Sequence, residues 1–290
     1  MNARLRPLLM ACAGAGAISL GGLVWLARDL VANPGNAGAR PSLLDLLEDV
    51  RLSRPNRSRP ARPSPPPPAH AAWVTPLAGR CTTTDPVLVE RLQALEASLE
   101  QRRRRVRIHP SNYGRRFRTD INGNPLDPTP RVVVLHETVY GLKSAINTFL
   151  TPHPRDQDQV SYHTLIGERG DIVDAVPPED RAYGAGNSAF GGRWALTSRR
   201  VTGSINNFAL HLSLETPLDG EDADPTHSGY SEAQYDAMAV VIADWMRRYG
   251  IEPRQITTHR HVDLNGERAD PRSFDWKRLG ARFQALGISC

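Results

Sequence analysis

Arg131-Val132-Val133-Val134-Leu135-His136 is the stretch on which the fold turns. Its consecutive branched apolar residues favour a strand buried on both faces, and it ends abruptly in a polar side chain. Downstream, Val160 to Ile166 and Asp171 to Val176 read as two strands joined through the turn signal Arg169-Gly170. Ser204 to Glu215 reads as another strand, and Ile256 to His259 as a short one. Between the last two, Ser231 and Gln234 form a capping box. The helix it opens carries Met238, Val241, Ile242, Trp245 and Tyr249 at helical spacing and closes at Gly250. Phe274 to Leu286 reads as a final helix with Leu279, Phe283 and Leu286 along one side. Helices interspersed with short strands predict an α/β domain, a central mixed β-sheet flanked by helices.

Upstream the pattern changes. Asp85-Pro86 is a helix start, and Val87, Leu88, Leu92, Leu95 and Leu99 continue it towards Arg102-Arg103-Arg104-Arg105. That arginine run is expected to be a solvated face. Arg51 to Ala72 is rich in arginine, serine and proline, including Pro65 to Pro68, and is expected to be an extended spacer. Ser42 to Val50 reads as one short helix. At the amino end, Arg4 and Arg6 precede an apolar stretch over residues 7–27. It reads as an uncleaved membrane anchor or a cleaved signal peptide, and either exports the rest of the chain. The expected organisation is 1–32 signal or anchor, 33–105 linker with short helices, and 106–290 the folded catalytic domain.

Composition narrows the function classes. The chain has 290 residues, of which 40% are hydrophobic, enough for a core of ordinary size. Lys+Arg 36 against Asp+Glu 31 gives a formal charge of +5, which permits an anionic partner without demanding one. Three cysteines exclude a disulfide scaffold and an all-cysteine metal site. No aromatic interleaving accompanies the arginines, so no nucleic-acid partner is expected.

The histidines carry the chemistry. His136 and His259 each end a predicted strand, and Asp270 follows in a loop before Pro271. Two imidazoles and a carboxylate leave a fourth tetrahedral position for water, the pattern of a catalytic zinc. Spacing alone leaves two readings open: this metal site, or histidines satisfied separately in core and surface. His261 and Asp263 lie close enough to His259 to compete as ligands.

From Val132 to Trp276 the chain resembles the zinc-dependent N-acetylmuramoyl-L-alanine amidases of the type-2 amidase and peptidoglycan-recognition family. The landmarks are Val133 to His136, Val160-Ser161-Tyr162-His163, the turn Gly167 to Gly170, Ala182-Tyr183-Gly184-Ala185-Gly186, Ser204 to Glu215, and His259 through Asp270-Pro271 to Phe274-Asp275-Trp276. The resemblance implies the peptidoglycan recognition protein-like fold, with Zn2+ held by His136, His259 and Asp270. It implies hydrolysis of the amide between N-acetylmuramic acid and L-alanine in peptidoglycan or muropeptides. Arg268 falls where the family usually has a lysine near the scissile carbonyl, and Tyr162 matches a tyrosine that assists catalysis in some members. Two departures stand out. Ser213 occupies the position of the family's strand glutamate, which leaves Glu215, on the same face by alternation, or Tyr162 as proton donor. Gly184 stands where many members have a histidine, for which His211 or His163 is a candidate replacement. Asn206, Asn207 and the loop 187–194 are expected to line the cleft. The resemblance also implies a periplasmic or cell-envelope location, anchored to the inner membrane if residues 7–27 are retained. Cys81 and Cys290 would there meet oxidising conditions that allow them to pair. A monomer is expected.

Overall fold

The computed structural model describes residues 61–69, 72–77, 85–198 and 202–288. The apolar amino-terminal segment, Ser42 to Val50, Cys81 and Cys290 lie outside the described residues. The sheet and its helices belong to one compact unit spanning Pro60–Cys290.

In chain order the elements are α1 (Pro86–Ala97), α2 (Leu99–Arg102), β1 (Arg103–Arg105), β2 (Tyr113–Arg115), β3 (Val132–Glu137), α3 (Leu142–Leu150), β4 (Thr164–Ile166), β5 (Ile172–Asp174), β6 (Asp180–Ala182), β7 (Ala209–Leu214), α4 (Glu232–Tyr249), β8 (Ile256–Thr258), α5 (His259–Val262) and α6 (Trp276–Ala285). Six strands form one mixed sheet in the order β1-β5-β4-β7-β3-β8, and β2 pairs with β6 separately. Only β4 and β5 run antiparallel within the large sheet; its other pairs are parallel. This is the mixed sheet with flanking helices that the patterning predicts.

The central strands β3 and β7 are buried along their whole length. Alternation splits them between two cores. Val133, Leu135, Leu210, Leu212 and Leu214 face the helical layer, against Met238, Val241, Ile242 and Trp245 of α4, Leu279 and Phe283 of α6 and Leu92 of α1. Val132, Val134 and Ala209 face the other way, into a core closed by loops through Ala185, Phe190, Ala195, Ile205 and Phe208 and by Val262 of α5. The same alternation puts His136 and His211 on the loop-covered side. The capping box of Ser231 and Gln234 starts α4, and Gly250, at φ 65°, stops it.

Several elements depart from expectation for identifiable reasons. The helix from Asp85 breaks after Ala97, and the arginine run turns into β1. Arg103 is no solvated residue: its guanidinium turns inward to Asp174 at 2.9 Å and Asp244 at 3.0 Å. Arg104 and Arg105 remain exposed. The strand from Ser204 begins only at Ala209, because the side chains of Ser204, Asn206 and Asn207 bond neighbouring loops. Helix α3 was not anticipated, although Leu142, Ala145, Ile146 and Phe149 stand at helical spacing. Its N-cap is Gly141, and the N–H of Leu142 is satisfied by Glu215 Oε1 at 2.6 Å, from 73 residues away.

The proline segment is also no free spacer where it is described. Arg62 N–H donates to Asn122 O, Ser64 hydrogen-bonds Asp120, and Trp194 Nε1–H donates to Pro65 O. Trp73 packs on His261 and Trp276, and Leu77 enters the helical core. Its chain positions are thus fixed by contacts with the domain rather than by composition.

Membrane anchoring requires a correction. Among the described residues, no helix is long and apolar enough to cross a membrane. Helix α4, the longest described at 18 residues, carries Glu232, Asp236, Asp244, Arg247 and Arg248. The expected anchor over residues 7–27 lies outside the described residues, so neither that partner contact nor a membrane-anchored location is retained.

Candidate metal centre

Parallel pairing of β8 with β3 sets Thr258 beside Leu135, so the next residues along, His259 and His136, come together at the carboxyl ends of the strands. Ligands of open α/β sheets bind at such ends. The loop after α5 returns Asp270 to the same point. His136 Nδ1 lies 3.2 Å from Asp270 Oδ2, and His259 Nδ1 lies 3.1 Å from the same oxygen. One ligand atom from each residue falls within 4.8 Å of the others. His136 is fully buried and His259 nearly so.

Electrostatics prepares these groups as ligands. Burial pushes the His136 imidazole down to about 4, with Asp270 opposing the shift and His259 adding to it. His136 is therefore neutral at pH 7. Burial by itself would raise the Asp270 carboxyl, but hydrogen bonds and charge from His136 and His259 outweigh it and hold the group well below the usual carboxylate range. The neutral His136 imidazole, the His259 imidazole and one anionic oxygen converge as three ligand atoms, a donor set that fits Zn2+ and leaves its fourth tetrahedral position to water or substrate. His261 is not in this cluster: its Nδ1 meets Thr258 Oγ1 at 2.5 Å, and its ring lies against Trp73. Nor is Asp263, whose carboxylate accepts backbone N–H groups from Asn265, Glu267 and Arg268 and so shapes the loop leading to Asp270.

A second cluster holds the ligand-bearing segments together. Glu137, next to His136 but on the opposite face, is buried. It accepts from Tyr230 Oη at 2.6 Å, from Arg272 Nε at 2.5 Å and from Arg272 N at 3.2 Å, with His227 Nε2 at 3.1 Å. Arg272 lies two residues beyond Asp270. The sequence reading missed this group, although a carboxylate directly after His136 at the end of an apolar strand was a visible signal. Arg116 was missed too. Its guanidinium donates to the carbonyls of Pro178, Asn206, Asn207 and Ala209, pinning the loop core from the far side, and burial lowers it to about 10.

Around the metal cluster, Tyr162 stacks on His136 with ring centroids 4.4 Å apart and leans edge-on against Phe149. Burial, then the Asp270 charge, push its phenol well up, so it keeps its proton. Arg268 is exposed, and its positive charge bears on both His136 and Tyr162. Glu215 is engaged elsewhere: its two oxygens accept from Leu142 N at 2.6 Å and Glu168 N at 2.8 Å. Ser213 sits beside His136 in the parallel register. His211 Nδ1 lies 2.9 Å from His136 Nε2. His163 accepts the His211 backbone N–H on Nδ1 at 2.9 Å. Asn206 and Asn207, expected in the cleft, are buried and spent on the backbone of Ala185 and Phe117. Loop 187–194 abuts the ligand loop, with Leu264 N–H donating to Asn187 O and Asn187 Nδ2 to Asn265 Oδ1.

Fold and donor set together define a zinc-binding α/β protein. The family model described as N-acetylmuramoyl-L-alanine amidase matches residues 126–273, half of the chain, and the chain belongs to that family. It is similar to the 1,6-anhydro-N-acetylmuramyl-L-alanine amidase AmpD of Citrobacter freundii, 33% identical over 128 residues, which are 44% of this chain and 57% of that protein. AmpD of Escherichia coli (strain K12) is 30% identical over 128 residues, 44% of this chain and 58% of the relative. The chain thus spans little more than half the length of these curated relatives. The crystal structure of a selenomethionine AmpD derivative is 26% identical with a TM-score of 0.46, over 62% of this chain and 94% of that one.

Proposed function

We propose that the protein is a zinc-dependent hydrolase of the amide between N-acetylmuramic acid and L-alanine in peptidoglycan or muropeptides. The observation that carries this reading is the convergence of His136 Nδ1, His259 Nδ1 and the Asp270 carboxylate at the strand ends of an amidase-family domain. Zinc bound there supplies Lewis-acid chemistry, polarising the scissile carbonyl and easing ionisation of water.

The remaining work belongs to side chains. Arg268, with its charge bearing on the cluster, is suited to stabilise negative charge growing on the carbonyl oxygen. Arginine stays ionised where a lysine could lose its proton. The leaving amine needs a proton. Of the two candidates, Tyr162 is favoured. Its phenol is kept protonated and its ring lies on His136, whereas both oxygens of Glu215 are committed to backbone amides.

One observation favours a second reading, a muropeptide-binding module that does not cut. Ser213, beside His136 in register, offers no carboxylate where the family often has one. Incubating the purified full chain with muropeptides, with zinc and with chelator, and weighing the products separates the two. Zinc-dependent release of the stem peptide supports hydrolysis. Zinc and muropeptide bound without any release would favour the binding module.

A further inference from the structure

His211 is an unusual residue for its place. It sits in the middle of β7, fully buried, between Leu210 and Leu212 of the helical core. A buried imidazole needs hydrogen-bond partners at both nitrogens. Among the described residues His211 has one: Nδ1 meets His136 Nε2 at 2.9 Å, while its own Nε2 is buried with no partner there.

What the contact does follows from proton bookkeeping. Both His136 and His259 aim Nδ1 at Asp270, so a metal there binds His136 through Nδ1. Nδ1 must then be bare, and the one proton of the neutral ring must sit on Nε2. That N–H points at His211 Nδ1, which must accept it. Metal-bound histidines generally give their second N–H to an acceptor that fixes tautomer and ring orientation. Here the acceptor is another imidazole. Its placement is itself fixed: His163 stacks on it at 5.8 Å and 11°, and holds its backbone N–H on Nδ1.

The neighbouring chain makes room for it. A Cβ on Gly184 would lie 2.3 Å from His211 Nδ1 and 2.5 Å from its Cγ. Real Cβ atoms do not approach so closely, and the obstacle is a ring locked between His136 and His163. Any side chain at 184 must therefore displace His211.

We propose that His211 is a positioning residue for the metal centre. Its Nδ1 accepts the Nε2–H of His136, fixing the tautomer that bares Nδ1, and residue 184 is glycine because the His211 ring fills the space its side chain would take. This inference rests on the metal reading above and deepens it by naming what aims the first ligand.

The test measures zinc affinity of the full chain by competition with a chelating dye, with thermal unfolding of the zinc-free forms as the control for folding. His211→Leu removes the acceptor and is expected to weaken zinc binding about 10–100-fold. His211→Asn keeps an acceptor oxygen near the place of Nδ1 and is expected to restore most of the loss, a rescue that a mere packing role would not give. Gly184→Ala is expected to weaken zinc binding as His211→Leu does, and to add no further loss in the His211→Leu background. A folded His211→Leu protein with the parent's affinity would overturn the proposal. So would an Asn variant no better than Leu, or additive losses in the double variant. If His211→Leu does not fold, His211→Asn and Gly184→Ala decide: an Asn variant well below the parent, or a Gly184→Ala protein equal to it, overturns the proposal. A parent chain that binds no zinc at this site would instead sink the metal reading, and this inference with it.

Discussion

Arg272 Nε lies 2.5 Å from Glu137 Oε1, joining the neighbour of one metal ligand to a residue two positions beyond another. Both side chains are almost excluded from solvent. The loop carrying Asp270 is thereby clamped to β3, the strand carrying His136. Removing one partner of a buried ion pair strands the other charge, typically at a cost of about 3–5 kcal/mol. Arg272→Ala is expected to lose stability on that scale in urea unfolding. It is also expected to weaken zinc binding, because Asp270 is no longer held in register with His136.

The ligand set itself makes a sharper prediction. His136→Ala, His259→Ala and Asp270→Ala are each expected to abolish stoichiometric zinc on metal analysis and, with it, muropeptide cleavage. Retention of one zinc per chain in any of the three would break the proposed site.

Arg268 and Tyr162 should separate from the ligands by keeping the metal. Arg268→Ala is expected to bind zinc normally and lower kcat about 10²–10³-fold, the usual loss when a group stabilising a developing oxyanion is removed. Tyr162→Phe is expected to lower kcat by about 10²-fold or more, as loss of a general acid does. Glu215→Gln is expected to act mainly on stability, by weakening the bonds to Leu142 and Glu168. Should Glu215→Gln lose the rate and Tyr162→Phe retain it, the two roles are reversed.

Acid should destabilise the zinc-free protein early. Burial drives His136 down to about 4, and His163 and His211 well below their ordinary value, from about 6.5 in the unfolded chain. The folded state therefore binds fewer protons than the unfolded one. Stability from these groups is full above about pH 6.5 and declines as pH falls below it, the His136 share being lost as pH falls through about 4. Each such proton contributes about 1.4 kcal/mol per pH unit within that window. Urea unfolding between about pH 7 and about pH 5 should show a steep loss, with up to three protons taken up on unfolding. A flat profile would mean that the imidazoles are not held neutral.

The parts legible in the sequence are those with local causes. The valine run of β3, the capping box and Gly250 of α4, and the turn at Gly170 announce themselves within a few residues. His136 and His259 stood out because each ends a visible strand, whereas Asp270 was preferred to His261 and Asp263 only through the resemblance to the amidase family. What escaped depends on partners far along the chain. Arg103 enters a strand because Asp174 and Asp244 await it, whereas helix α3 carries its own apolar spacing and only the partner of its first N–H, Glu215, lies far along the chain. Asn206 and Asn207 look like cleft residues until the loops they fasten are seen. Glu137 was overlooked because its worth appears only with Arg272, Tyr230 and His227 around it.

Leu77, Leu92 and Leu99 all sit in the hydrophobic cluster beneath α4 and α6. The match to the family covers only residues 126–273, so these three leucines fall outside it. Trimming the polypeptide to that stretch, or to 106 onwards, would strip part of the floor from the helical layer and bare an oily surface. Such a fragment should clump or melt at lower temperature, whatever its metal ligands do. The smallest version worth purifying begins no later than residue 61.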